Sequence, residues 1–180
     1  MATNSGKQFE SDFFSSIPSY CFKHRLKDSA QSYNNSERTR FAWDNECDFF
    51  IFDDVSRIFY AIECKSTKYK SMSFQVDEDD KSSKMIKYHQ IESLTDISMH
   101  NWTVAGFMFN FRDDNNHIER TYFQSIADFN RMTKEINKVS FNELDLILYN
   151  AIKIVGKKKR IHYRWDIDEF FKNMDKNMNE

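Results

Sequence analysis

The sequence predicts a single-domain α/β fold. Residues 47–65, CDFFIFDDVSRIFYAIECK, read as two strands around a short polar turn, and residues 102–111 and 118–126 read as a second pair of core strands. Apolar residues at helical spacing recur before, between and after these pairs. A chain of 180 residues can bury a good core, and no internal repeat or boundary divides it, so residues 1–180 are expected to form one domain.

Along the chain, residues 4–16 begin with Asn4 or Ser5 as a candidate helix cap. Phe9, Phe13 and Phe14 follow at i, i+4 and i+5, with Glu10 beside that apolar stripe. After Pro18 a short strand is expected at 20–25. Residues 28–43 are rich in Ser, Asn and charge without periodicity, and read as a loop. Lys23, Arg25, Lys27, Arg38 and Arg40 form a first basic cluster, suited either to solvent or to phosphate.

In the 47–65 hairpin, Asp53, Asp54 and Ser56 interrupt the apolar run and mark the turn. Residues 66–74 are basic and hydroxyl-rich, with Lys68 and Lys70, and the acidic run at 77–81 reads as a solvated loop. A helix is expected over 85–99 from Met85, Ile86, Ile91, Leu94 and Ile97, with Gln90 inside it. Turn residues at 113–116 separate the second strand pair. Helices are expected at 126–137, 142–154 and 166–174, the last with Phe170 and Phe171 facing the body. Before it, GKKKRIHYR at 156–164 concentrates Lys157, Lys158, Lys159, Arg160 and Arg164 beside Tyr163, a second cluster suited to phosphate contacts.

Composition narrows the function classes. Three cysteines, Cys21, Cys47 and Cys64, form no CxxC or CxxH spacing and leave an odd count, which argues against a disulfide framework and for a reducing, cytoplasmic setting. No apolar run approaches ~20 residues and no signal peptide is visible, so neither membrane spanning nor secretion is expected. A net charge of −2 gives no global attraction to nucleic acid, so a DNA site has to be a local patch.

The chemistry concentrates at the end of the first hairpin. Side chains alternate across a strand, so Glu63 and Lys65 share a face and Cys64 takes the other. A register pairing Asp48 with Glu63 brings two carboxylates and a lysine to one spot. Ionised groups at the end of a buried hairpin are costly unless paired or metal-bound, and hard oxygen ligands suit Mg²⁺. A lysine beside such a site can help activate water or stabilise charge on a phosphorane. The plainer alternative is an edge strand with solvated charges.

Taken in order, Glu10 on a first helix, Asp48, the Glu63-Cys64-Lys65 triplet and Gln90 on a later helix resemble the PD-(D/E)xK nuclease pattern. Within it, the chain resembles the short RecU-type Holliday-junction resolvases of phages and mobile elements. The resemblance runs through NSGKQFE, CD…IECKSTKYKSMSF, HQIESL, AGFMFNF and RIHYRWDIDEFF. It implies a restriction-endonuclease-like fold with a central mixed sheet flanked by helices. It also implies a homodimer, branched DNA as partner with recombination proteins alongside, and cleavage of four-way junctions with Mg²⁺ or Mn²⁺. Asp48, Glu63, the Cys64 carbonyl and Glu10 would hold metal, Lys65 would assist the attacking water, and Gln90 would orient water or phosphate. Arg25, Arg38, Arg40, Lys68, Lys70, Lys157, Lys158, Lys159 and Arg160 would contact DNA.

Two departures are visible. The interval from Tyr20 to Glu46 is compact where longer resolvases carry a stalk, and Glu46 stands where they often have a hydroxyl residue. The same residues also fit another DNA nuclease of this fold, or a DNA-binding protein with a vestigial site.

Overall fold

A computed structural model describes residues 5–26, 45–116 and 118–179, with side chains through Asp175. In chain order the elements are α1 (Ser5–Ser16), β1 (Phe22–Arg25), β2 (Phe49–Phe52), β3 (Phe59–Thr67), β4 (Ser71–Ser73), α2 (Tyr88–Ser98), β5 (Thr103–Asp113), β6 (Ile118–Ser125), α3 (Ile126–Glu135), β7 (Ser140–Asn142), α4 (Glu143–Leu148), β8 (Ile152–Ile154), β9 (Gly156–Lys159), β10 (His162–Trp165) and α5 (Ile167–Asn179).

Six strands form a mixed sheet in the order β1-β2-β3-β5-β6-β8. β1-β2 and β2-β3 are antiparallel. The crossover through α2 returns the chain as β5, parallel to β3, and β6 and β8 continue antiparallel. A parallel neighbour requires a long crossover, and the periodic stretch ending at Ser98 provides it as a helix. This central mixed sheet flanked by helices is the α/β architecture expected.

Strand alternation sorts the aromatics into two cores. One face carries Phe49, Ile51, Tyr60, Ile62, Met108 and Phe123 under Phe9 and Phe13 of α1, Tyr163 and Trp165 of β10, and Phe170 and Phe171 of α5. The other carries Ala61, Ala105, Phe107, Phe109 and Phe111 under Leu94 of α2, Phe129 and Met132 of α3, and Phe141 of β7. Phe107 and Phe109 approach Phe129 and Phe141 with ring centroids 4.8 and 4.9 Å apart respectively. Each fully buried phenylalanine stabilises the fold by roughly 1.5–3 kcal/mol, so the unusual Phe content is core rather than binding surface.

Turn chemistry follows the predicted residues. Asp53, itself buried, accepts from the Val55 and Ser56 amides and the Ser56 hydroxyl, which closes the β2-β3 turn and orders the left-handed Arg57 behind it. Asp113 does the same for Asn115 and Asn116 between β5 and β6.

The expected helix over 142–154 is corrected. Helix α4 stops at Leu148, Asn150 takes a left-handed φ of 64°, and Ile152–Ile154 become edge strand β8 on β6. A β-branched pair two residues apart, facing an unpaired strand edge, gains ladder hydrogen bonds that continued helix would forgo. GKKKRIHYR, read from sequence only as a basic cluster, forms the hairpin β9-β10. Among the described residues, no helix is long and apolar enough to cross a membrane.

Candidate active site

β2 and β3 pair Phe49 with Ile62, so one residue further Asp48 stands opposite Glu63, the register that brings the two carboxylates together. The Asp48 amide donates to the Ile62 carbonyl (3.2 Å), and Asp48 Oδ2 accepts from the Cys64 amide (2.7 Å). Lys65 Nζ lies 2.7 Å from Glu63 Oε1 on the same strand face. The start of α2 delivers Gln90 to the same carboxylate. Its Oε1 accepts from the Lys87 amide at the helix N-terminus, and its Nε2 donates to Glu63 Oε1. Those two bonds fix which way the Gln90 amide faces.

Glu63 is 4 % exposed. Burial pushes its carboxyl up to about 7; Lys65 opposes that shift, whereas Asp48 and Glu10 reinforce it. Glu10, on α1, ion-pairs with Arg25 of β1, whose guanidinium also lies over the Phe49 ring. Burial likewise drives the Cys64 thiol well above its usual range, which keeps it protonated.

Glu10, Asp48, Glu63, Lys65 and Gln90 are therefore brought to one neighbourhood from three elements, α1, β3 and α2, and from the residue just before β2. The donor set of Asp48, Glu63 and Glu10 carboxylates with the Cys64 carbonyl is all hard oxygen and fits Mg²⁺ or Mn²⁺ by chemistry. Three carboxylates against Lys65 and Arg25 leave one formal negative charge when all are ionised. The side chains are not drawn around one point, however. Among the described residues no group of three or more His, Cys, Asp or Glu side chains is arranged to hold a metal ion; Lys65 and Gln90 meet Glu63 Oε1, the Cys64 amide meets Asp48 Oδ2, and Arg25 meets Glu10 Oε2.

The expected DNA contacts separate. Lys68 and Lys70 are exposed just beyond β3, and Lys157, Lys158, Lys159 and Arg160 are exposed on the β9-β10 hairpin. Tyr163 is buried and serves the core, and Arg164 turns toward Asp12, 3.8 Å away. Arg38 and Arg40, with Lys27, lie outside the described residues.

Sequence reading missed Asp12. It is 4 % exposed, accepts from Gln8 Nε2 (2.8 Å) and the Tyr163 amide (2.9 Å), and meets His162 Nδ1 at 2.7 Å. The signal was available: Asp12 falls three residues after Phe9 and one before Phe13, inside the apolar stripe. A second missed network starts next to Lys65. Ser66 donates to Asn110, Asn110 donates to Glu119 and Thr121, and Arg112 donates to Ser66. It crosses three strands, so no local spacing could show it.

No family model matches the chain. It is similar to the SPbeta prophage-derived uncharacterized protein YotM of Bacillus subtilis (strain 168), with 29% identity over 180 residues, 93% of this chain and 85% of that protein. Among solved structures, it is similar to Hjc, a Holliday junction resolvase from the archaeal hyperthermophile Archaeoglobus fulgidus. That likeness has a TM-score of 0.43 and 14% identity, and covers 74% of this chain and 83% of that one.

Proposed function

We propose that the chain is a metal-dependent DNA endonuclease that acts on branched DNA of the four-way-junction type, working as a homodimer. The observation that carries the reading is the convergence of Asp48, Glu63 and Lys65 at the open end of the β2-β3 hairpin, with Gln90 locked onto Glu63. Asp48, Glu63, the Cys64 carbonyl and Glu10 would hold Mg²⁺ or Mn²⁺. That cation would supply Lewis-acid chemistry, lowering the pKa of water and neutralising charge on the attacked phosphate.

The chain's own residues take the remaining tasks. Lys65, paired with Glu63, would hydrogen-bond the attacking water and offset charge on the phosphate oxygens. Gln90, its amide orientation set by the Lys87 amide, holds the water or a phosphate oxygen in line. Arg25 gives up Glu10 and becomes available to DNA. Lys68 and Lys70, with the hairpin cations Lys157, Lys158, Lys159 and Arg160, contact phosphates on either side.

A symmetric pair of such sites addresses two strands of a junction at once, which is why a four-way junction is the proposed substrate. Competition tests it. Labelled junction is incubated with protein and Mg²⁺ against excess linear duplex of the same sequence. Preferential, Mg²⁺-dependent cleavage of the junction is expected; equal cleavage of both DNAs would move the assignment to a general nuclease of the same site.

A further inference from the structure

Strands β9 and β10 form a two-stranded sheet of their own, separate from the six-stranded sheet. Their register, Lys159 opposite His162, leaves Arg160 and Ile161 as a two-residue turn. Arg160 adopts φ 58°, the left-handed conformation that suits the twist of a tight hairpin but disfavours residues other than glycine. The hairpin is firmly seated at its base. Trp165 packs edge-on against Phe9 with centroids 5.1 Å apart, and the Tyr163 and Trp165 amides donate to Asp12 and to the Ser16 hydroxyl. Gly156 lets the Trp165 indole lie against the opposite strand, where a Cβ would stand 2.9 Å from Nε1.

At the tip the chemistry reverses. Ile161 is 80 % exposed, above every other large apolar side chain among the described residues. Around it lie the exposed Lys157, Lys158, Lys159 and Arg160. Register and alternation put Lys157 and Lys159 on the hairpin face opposite Tyr163 and Trp165, alongside His162 and Arg164. Single exposed isoleucines are ordinary on protein surfaces. This one stands beside cations at the end of a two-stranded ribbon, a shape that fits a DNA groove.

We propose that the β9-β10 hairpin is a DNA wedge: Ile161 inserts between base pairs at the branch point while Lys157, Lys159 and Arg160 hold the flanking phosphates. Cations on phosphates bring the tip to the duplex. An apolar side chain then separates a base step, at least cost where stacking is already interrupted. This inference rests on the nuclease reading and assigns that site its selectivity element.

The test uses the full chain in EDTA, with a four-way junction and a matched duplex carrying 2-aminopurine at the branch position, titrated at several salt concentrations. The unmodified protein should raise 2-aminopurine fluorescence on the junction. Ile161→Ser should abolish that rise and weaken junction binding at least fivefold while keeping the salt slope. Ile161→Leu should restore both. Replacing Lys157, Lys159 and Arg160 with alanine should flatten the log–log salt slope by up to about 0.9 per lost contact. Unchanged fluorescence and affinity in Ile161→Ser, or binding to anionic phospholipid vesicles in preference to DNA, overturns the wedge even if Mg²⁺-dependent cleavage is found. Absence of both DNA binding in EDTA and cleavage in Mg²⁺ overturns the wedge and the nuclease reading together.

Discussion

A lysine 2.7 Å from a buried glutamate can be a mere counter-ion or a participant in chemistry, and the two roles differ in what its loss does. As counter-ion, Lys65 stabilises folded Glu63, so Lys65→Ala would leave an uncompensated buried carboxylate and lower stability. As participant, its loss removes turnover while DNA affinity persists, because one cation among many phosphate contacts matters little to binding. Cleavage by Lys65→Ala should fall roughly 10²–10⁴-fold, with junction affinity in EDTA within about twofold. Single-turnover kinetics with a parallel binding titration reads both. A proportional loss of affinity would instead make Lys65 a phosphate anchor. Asp12 offers the contrasting case of a carboxylate with a structural task. Asp12→Ala strips the buried Tyr163 amide of its acceptor, and urea unfolding should show about 1–3 kcal/mol of lost stability. Asp12→Asn, which keeps an acceptor oxygen, should lose less.

Elements explain which parts of the molecule the sequence announced. The β2-β3 hairpin was legible because its aromatic and β-branched runs flank Asp53 and Ser56, whose side chains close the turn locally. Its register, and with it the opposition of Asp48 and Glu63, follows from which residues must face the core. Gln90 stood out only through the resemblance, since its bond to Glu63 spans 27 residues of sequence. The stretch after Asn142 misled for a physical reason. Its apolar spacing satisfies a helix, but β6 offers an open edge that Ile152 and Ile154 complete, and that edge is a tertiary fact. Gly106 on β5 was similarly mute. Its missing side chain admits the neighbouring strand, where a Cβ would lie 2.3 Å from the Gln124 carbonyl oxygen and 2.9 Å from the Phe123 ring. Because backbone rather than a flexible side chain must yield, Gly106→Ala should cost about 3 kcal/mol or more, seen as a large drop in the urea midpoint at unchanged slope. A variant as stable as the parent would contradict the close packing of β5 on β6.

At the scale of the whole molecule, a net charge of −2 leaves no general pull toward DNA, so under the proposed function affinity would have to come from local cations and specificity from shape. The sheet sets the carboxylates at one hairpin end, α1 and α2 bring Glu10 and Gln90 to it, and β10 holds the basic ribbon on the same face as α1. If the carboxylates gather around a divalent cation, that cation also stabilises the fold by mass action, by about 2.7 kcal/mol at a hundred times its dissociation constant. Thermal unfolding in Mg²⁺ or Mn²⁺ should therefore shift upward in the parent chain and not in Glu63→Gln.

The most direct measurement is cleavage of a synthetic four-way junction by the parent chain and by Asp48→Asn, each in Mg²⁺ and in EDTA, with binding followed in parallel. Asp48→Asn keeps the shape and an acceptor oxygen for the Cys64 amide but removes one anionic ligand charge. The account predicts cleavage by the parent in Mg²⁺ alone, at least about 10²-fold slower cleavage by Asp48→Asn, and equal junction binding by both in EDTA. Full Mg²⁺-dependent cleavage by Asp48→Asn would contradict the site.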